Sequence, residues 1–134
     1  NTTTATENST TDVFVWRLAD AGTAGSAAVD TVTRFSTVAA SSGGDVLDLR
    51  DLLQGETTAT LEKYLEFDTS TSNTIIKVSP NGGFSGLLGA TTETERIVLE
   101  GVNLRSDLGL SSSATDAQVI AKLLSKGSLV VDNG

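Results

Sequence analysis

Asp30, Asp45, Asp48 and Asp51 are the side chains of this sequence best suited to hold a divalent cation, together with Asp12 ahead of its first apolar run. Calcium is held by several carboxylate and carbonyl oxygens at once, so clustered aspartates in turns are where such chemistry begins. If Asp45 and Asp48 lay in one strand, their side chains would point to opposite faces, which works against a shared site. No DxDxDG loop of EF-hand type occurs. The simpler reading is that these are solvated turn acids. The chemical reading keeps Asp12, Asp30 and Asp45 as candidate metal ligands.

Other chemistry is narrower still. The chain has no His and no Cys. Their absence removes serine triads, thiolate nucleophiles, cysteine zinc sites and the HExxH helix. Only paired carboxylates remain, as in glycoside hydrolysis. Glu62 and Glu66 stand one helical turn apart at most, nothing marks a cleft around them, and the pair reads as surface charge. Gly82, Gly83 and Gly86 are not followed by the GK[ST] or GxGxxG pattern of a phosphate loop. The chain is therefore read as not an enzyme.

The net charge of −8 argues against nucleic acid and against anionic membrane surfaces, both of which call for Lys and Arg. It favours solubility and tolerates divalent cations. No stretch approaches the roughly 18 apolar residues of a membrane span, and no basic segment followed by an apolar one opens the sequence. The absence of Met is read as the mark of a piece of a longer chain. Without Cys there are no disulfides, so packing or metal must hold the domain together.

The elements that must position these residues are mostly strands. The 134 residues suit one domain, and with six aromatics its core must be filled by Leu, Val, Ile and Ala. Ser and Thr supply 35 residues, which points to solvated strands and loops. Residues 1–11 are small and polar and read as a flexible linker; 12–134 form the domain. Val13-Phe14-Val15-Trp16 is a β-branched and aromatic strand. Strand 29–35 alternates Val29, Thr31, Thr33 and Phe35 on one face with Asp30, Val32 and Arg34 on the other. After the break at 39–44 comes Val46-Leu47-Asp48-Leu49, then one helical turn at Asp51-Leu52-Leu53, ended by Gly55. Thr60 is placed to cap a short helix over 61–65. Leu65-Glu66-Phe67-Asp68 and Thr74-Ile75-Ile76-Lys77-Val78 flank a wholly polar segment and predict a hairpin. The stretch 80–94 reads as a long loop, 95–100 as a strand and 102–109 as holding a helical turn.

The last helix is the clearest. Ser113 or Thr115 caps it, Asp116 lies near its positive end, and Lys122 and Lys126 suit its negative end before Gly127. Ala117, Ile120, Ala121 and Leu124 fall on one face, with Val119 and Leu123 flanking. Leu129-Val130-Val131 returns as a strand. The fold class expected is mainly β (α+β), a β-sandwich-like domain of about six strands with this helix on its edge. No internal period of 20–50 residues is visible in the sequence.

Four stretches in order carry a resemblance. They are Asp12-Val13-Phe14-Val15-Trp16, Asp30-Thr31-Val32-Thr33-Arg34-Phe35, the run Gly44-Asp45-Val46-Leu47-Asp48-Leu49-Arg50-Asp51-Leu52-Leu53-Gln54-Gly55-Glu56, and Ile97-Val98-Leu99-Glu100-Gly101-Val102 with the terminal helix and strand. Together they resemble the type I secretion C-terminal target domain of giant repeats-in-toxin biofilm adhesins, over residues 12–134. The resemblance implies a domain following calcium-binding nonapeptide repeats, whose last repeat would end at Asp12-Val13-Phe14. The repeat glycines are absent here, and Arg34 stands where the family commonly carries a second acid. It implies an uncleaved export signal read by an inner-membrane ABC transporter, which works with a periplasmic adaptor and an outer-membrane channel. It also implies a secreted or cell-surface location and, for the domain, the cap of the preceding roll.

A terminal export signal should be short, apolar and accessible while unfolded. Leu123, Leu124, Leu129, Val130, Val131 and Asp132 fit that description and are the candidate transporter contacts; once folded, the apolar ones should turn into the core. The domain is expected to be a monomer that inserts in no membrane. The alternative function is a calcium- or glycan-binding adhesion module.

Overall fold

Short β-branched runs separated by Gly, Ser and Asp produce short strands, and their pairing gives the architecture. The computed structural model describes residues 2–4, 12–17, 21–23, 26–53, 61–80 and 93–131. Among them are eight strands: β1 (Thr2–Thr4), β2 (Val13–Val15), β3 (Ala28–Thr33), β4 (Val46–Asp48), β5 (Leu65–Asp68), β6 (Thr74–Val78), β7 (Glu95–Glu100) and β8 (Leu129–Val130). Helix α1 is Leu104–Asp107 and helix α2 is Asp116–Lys126. Single 3-10 turns lie at Ala40–Ser42 and Leu61–Lys63. The protein is mainly sheet with two helices among the described residues.

The strands form two sheets, one of five strands ordered β1-β3-β7-β6-β5 and one of three ordered β2-β4-β8. β1 with β3, β3 with β7, β2 with β4 and β4 with β8 all pair in parallel. Parallel neighbours cannot be joined by a tight turn and need a crossover. Here the crossover is a strand of the opposite sheet: the chain visits the larger sheet at β1, the smaller at β2, then the larger at β3 and the smaller at β4. After an excursion through the β5–β6 hairpin it makes the same passage at β7 and β8. The result is three stacked coils of two strands each, a short parallel solenoid.

This coil topology was not expected from the sequence. Thr2 faces Thr31, Val13 faces Val46, and Ala28 faces Glu95. These spacings differ because the hairpin is inserted between the second and third coils, so no fixed period survives. The lead-in 1–11, read as linker, supplies β1 at the edge of the larger sheet; residues 5–11 lie outside the described residues. The expected hairpin forms, with Leu65 opposite Val78 and Asp68 opposite Ile75, and β6 pairs antiparallel with β7. Gly55, Thr60 and most of the 80–94 loop lie outside the described residues.

Two face assignments change. In β3, Val32 is wholly buried and Val29 is half-exposed. Arg34 adopts the left-handed region at φ 62°, which resets the alternation and returns Phe35 to the core. In α2 the buried stripe is Val119, Ile120 and Leu123, while Ala117 and Ala121 face solvent. The larger side chains set the helix's rotation because two alanines offer little area to bury.

Both sheets, α1 and α2 share one core. Leu47 and Leu49, in and just after β4 of the smaller sheet, are fully buried with Ile76, Ile97 and Leu99 of the larger and Leu123 of α2. Trp16 Nε1 donates to Asp30 Oδ2 at 3.1 Å, tying the two sheets together beside β2.

Candidate functional site

The C-terminal segment is built to be held down. Thr115 accepts from the Gln118 backbone N–H at 3.2 Å while the Gln118 side chain accepts from the Thr115 N–H at 2.8 Å, a reciprocal capping box. At the other end Gly127 takes φ 72°, and its N–H and that of Ser128 close the last turn. Lys126 Nζ donates to the Thr37 carbonyl at 3.3 Å. The N–H of Leu47 donates to Ser128 O at 2.8 Å and that of Leu49 to Val130 O at 2.9 Å, which locks β8 onto β4. Of the candidate export residues, Leu123 and Leu129 are buried in the core, and Leu124, Val130 and Val131 are partly buried. Asp132 lies outside the described residues.

The start of α2 is anchored by a side chain that sequence reasoning passed over. Arg105, in α1, is 9% exposed. Its Nε donates to Ala114 O at 2.8 Å, and its Nη1 to Phe67 O at 2.9 Å and Thr69 Oγ1 at 3.1 Å. Its Nη2 reaches Asp116 Oδ1 at 3.2 Å, and that oxygen also accepts the Phe67 N–H at 3.0 Å. One guanidinium thus joins α1, the first residue of α2 and the β5 end of the hairpin. Only the short helical run around Leu104 and Leu108 hinted at it, since an arginine between two core leucines is forced close to the interior. Nearby, the buried Thr74 Oγ1 donates to Val102 O at 2.7 Å and accepts the Leu104 N–H at 3.0 Å, holding α1 to the hairpin.

An open cleft of about 430 Å³ lies over this joint, lined by Glu66, Asp68, Lys77, Arg105, Ser112 and Asp116 among others. Burial and the neighbouring Asp116 push the Glu66 carboxyl above the usual carboxylate range, with Lys77 opposing. Arg105 is already engaged with four acceptors, so the cleft is the outer wall of the joint that fixes α2.

Two of the candidate metal ligands, Asp45 and Asp30, serve as hydrogen-bond acceptors within the fold. Asp45 is 1% exposed and accepts the Asp12 N–H on Oδ1 at 3.0 Å and the Ser36 N–H on Oδ2 at 2.8 Å. Asp30 accepts from Trp16, as above. Carboxylate oxygens turned toward N–H donors are poorly placed for a cation. Among the described residues no group of three or more acidic side chains could hold a metal ion. No helix among them is long and apolar enough to cross a membrane.

Asp48 is forked by Arg50, whose Nε donates to Oδ1 at 3.0 Å and Nη2 to Oδ2 at 2.7 Å. These bonds hold the Asp48 carboxyl below its ordinary value of 3.8, against a smaller opposing effect of burial. A depressed value means the contribution to stability is present above 3.8 and is lost as the pH falls through the lower folded-state value. Asp48→Asn is therefore expected to lower the urea midpoint at pH 7 and to lose that effect in strong acid. Equal destabilisation at both pH values would contradict the role assigned to the Arg50 fork.

The chain matches no family model, no curated protein and no solved structure.

Proposed function

We propose that this chain is the C-terminal target domain of a type I secreted repeats-in-toxin adhesin, carrying an uncleaved export signal and capping the roll that precedes it. It is a non-catalytic domain that works outside the cell after passing an ABC transporter, its adaptor and an outer-membrane channel. The observation that carries the reading is the difference between the two ends of the solenoid. At one end β1 closes the strand order of the larger sheet and β2 that of the smaller, and no strand among the described residues pairs beyond either. At the other, the larger sheet continues into the antiparallel β6–β5 hairpin, and α2 packs on β5 and β8. An edge left open is a liability that native proteins normally cover or charge. A domain finished by a hairpin and a helix at one end, with only parallel strands described at the other, has the form of a cap. Calcium belongs, in this reading, to the preceding repeats.

Export supplies the second half of the reading. A chain threaded through a channel must not be cross-linked, and this one has no Cys. Leu123 and Leu129 are available to a transporter only before folding, because afterwards they are buried, while Leu124, Val130 and Val131 are then partly covered. Signal and core are the same residues used at different times.

The test is export of residues 1–134 fused to a soluble reporter, in cells with a type I transporter of the adhesin class. Secretion is expected from the intact fusion and loss of at least most of it after deletion of residues 126–134. Equal secretion of the truncated fusion would refute the assignment of the signal to this segment.

A further inference from the structure

β5 ends the strand order of the larger sheet among the described residues. Tyr64 O accepts the Ser79 N–H at 2.8 Å, and the register sets Leu65 opposite Val78 and Phe67 opposite Ile76. In an antiparallel pair the ladder bonds fall on alternate residues, so Glu66 and Asp68 bond toward β6 while Phe67 turns its N–H and C=O the other way. Both of those groups are nonetheless filled. The Phe67 N–H donates to Asp116 Oδ1 at 3.0 Å, and Arg105 Nη1 donates to Phe67 O at 2.9 Å. Asp116 and Arg105 are themselves joined at 3.2 Å. Two residues on, Thr69 O accepts from Asn103 Nδ2 at 3.3 Å. An acceptor and a donor held side by side are what one residue of a neighbouring strand would offer.

We infer that the Arg105–Asp116 pair is a surrogate strand, which takes the backbone position beside Phe67 and so denies the edge of the larger sheet to a second copy of this chain. An edge strand is a template for pairing, and proteins commonly blunt it with Lys, Pro or a bulge. β5, Leu65-Glu66-Phe67-Asp68, has none of these, and its register with β6 runs unbroken. The occupant kept out is a copy of the chain because an edge strand pairs antiparallel with its own image about a two-fold axis. Phe67 would then exchange both backbone bonds with its counterpart, and the buried side chains of Leu65 and Phe67 would continue one apolar face. The same pairing sets Glu66 against Asp68 of the other copy, and like charges directly opposite repel. The edge therefore has two guards, the ion pair on the backbone and the acids on the outer face. Neither depends on the route by which the chain leaves the cell.

Sedimentation of variants in the full chain separates the guards. Glu66→Gln/Asp68→Asn keeps the ion pair and is expected to remain a monomer. Adding Asp116→Ala strips the acceptor from the Phe67 N–H and should give a dimer that forms with rising concentration and grows no further, because two-fold pairing uses up the edge. Adding Asp116→Asn instead keeps an acceptor oxygen and should preserve the monomer. Asp116 is the side chain to remove, since it is 33% exposed and Arg105 keeps three other acceptors. If near-ultraviolet dichroism shows the alanine variant unfolded, Asp116→Ser, too short to reach Phe67, takes its place. The Phe67 amide should exchange about tenfold faster than in the parent when that variant is dilute, and regain protection in the dimer. The chain has no Cys, so introduced thiols report the register. With Asp116→Ala in both, Glu66→Cys/Asp68→Asn mixed with Glu66→Gln/Asp68→Cys should oxidise to a mixed disulfide, and neither chain should link to itself as readily. A folded Asp116→Ala variant that stays monomeric, or a dimer without the mixed disulfide, overturns the inference. So does dimerisation of Glu66→Gln/Asp68→Asn itself, which would leave the acids as the only guard.

Discussion

Arg105→Ala is expected to lower the unfolding free energy by about 3 kcal/mol and the melting temperature by about 10 °C. The substitution leaves the carbonyls of Ala114 and Phe67 and the hydroxyl of Thr69 without the donor they now share. Asp116 suffers less, because its side chain is 33% exposed and keeps the Phe67 N–H. The estimate therefore sits at the low end of what breaking a buried pair costs. For a domain of this size it is a large share of a total on the order of 5–15 kcal/mol. Arg105→Lys should recover only part of it, since one ammonium cannot reach acceptors in three directions. Urea unfolding of the three proteins decides the matter, and a lysine variant as stable as the parent would show that charge alone, not the fork, holds α2. Because α2 carries Leu123 and Leu124, the alanine variant should also expose the candidate export segment to protease sooner than the rest of the chain.

Asp45→Ala should cost about as much, roughly 3 kcal/mol, through a different part of the fold. Two backbone N–H groups, those of Asp12 and Ser36, lose a charged acceptor in a site that is 1% exposed to solvent. An orphaned buried donor retains its full desolvation penalty. The loss is local: amides around Asp12 and Ser36 should exchange faster while those of the β5–β6 hairpin keep their protection in mild conditions. Asp45→Asn keeps one acceptor oxygen and should cost about half as much. If the hairpin and the first coil instead lose protection together in Asp45→Ala, the coils unfold as one unit and the Asp45–Asp12 bond is not a separable contact.

Arg105 and Asp45 also mark the limit of what spacing reveals. Asp45 stands out in the sequence as an acid in a Gly-Gly-Asp turn, and from there it reads equally well as a calcium ligand or a solvated side chain. Its use as an acceptor for Asp12, thirty-three positions back, depends on a parallel pairing that no local pattern encodes. Arg105 reads as one charge in a short helical run; its four acceptors come from β5, the loop after it and the residues leading into α2, all brought together by the hairpin's packing.

By itself the sequence determined the local elements and some of their boundaries. Val13 to Val15, Val46 to Asp48, the hairpin and β7 are strands because β-branched and apolar residues recur with polar breaks between them. Gly127 ends α2 as its place in the sequence indicates, while of Ser113 and Thr115 it is Thr115 that caps the helix, with Gln118 as its reciprocal partner. The absence of His and Cys narrowed the chemistry before any fold was known. Only the tertiary structure decided that the strands stack as parallel coils, that a Thr-rich lead-in forms an edge strand, and that α2 turns Val119 rather than Ala117 inward. Those choices depend on contacts between residues far apart in the chain. The energy of each is set by what the other coil presents, and short-range patterning carries no record of it.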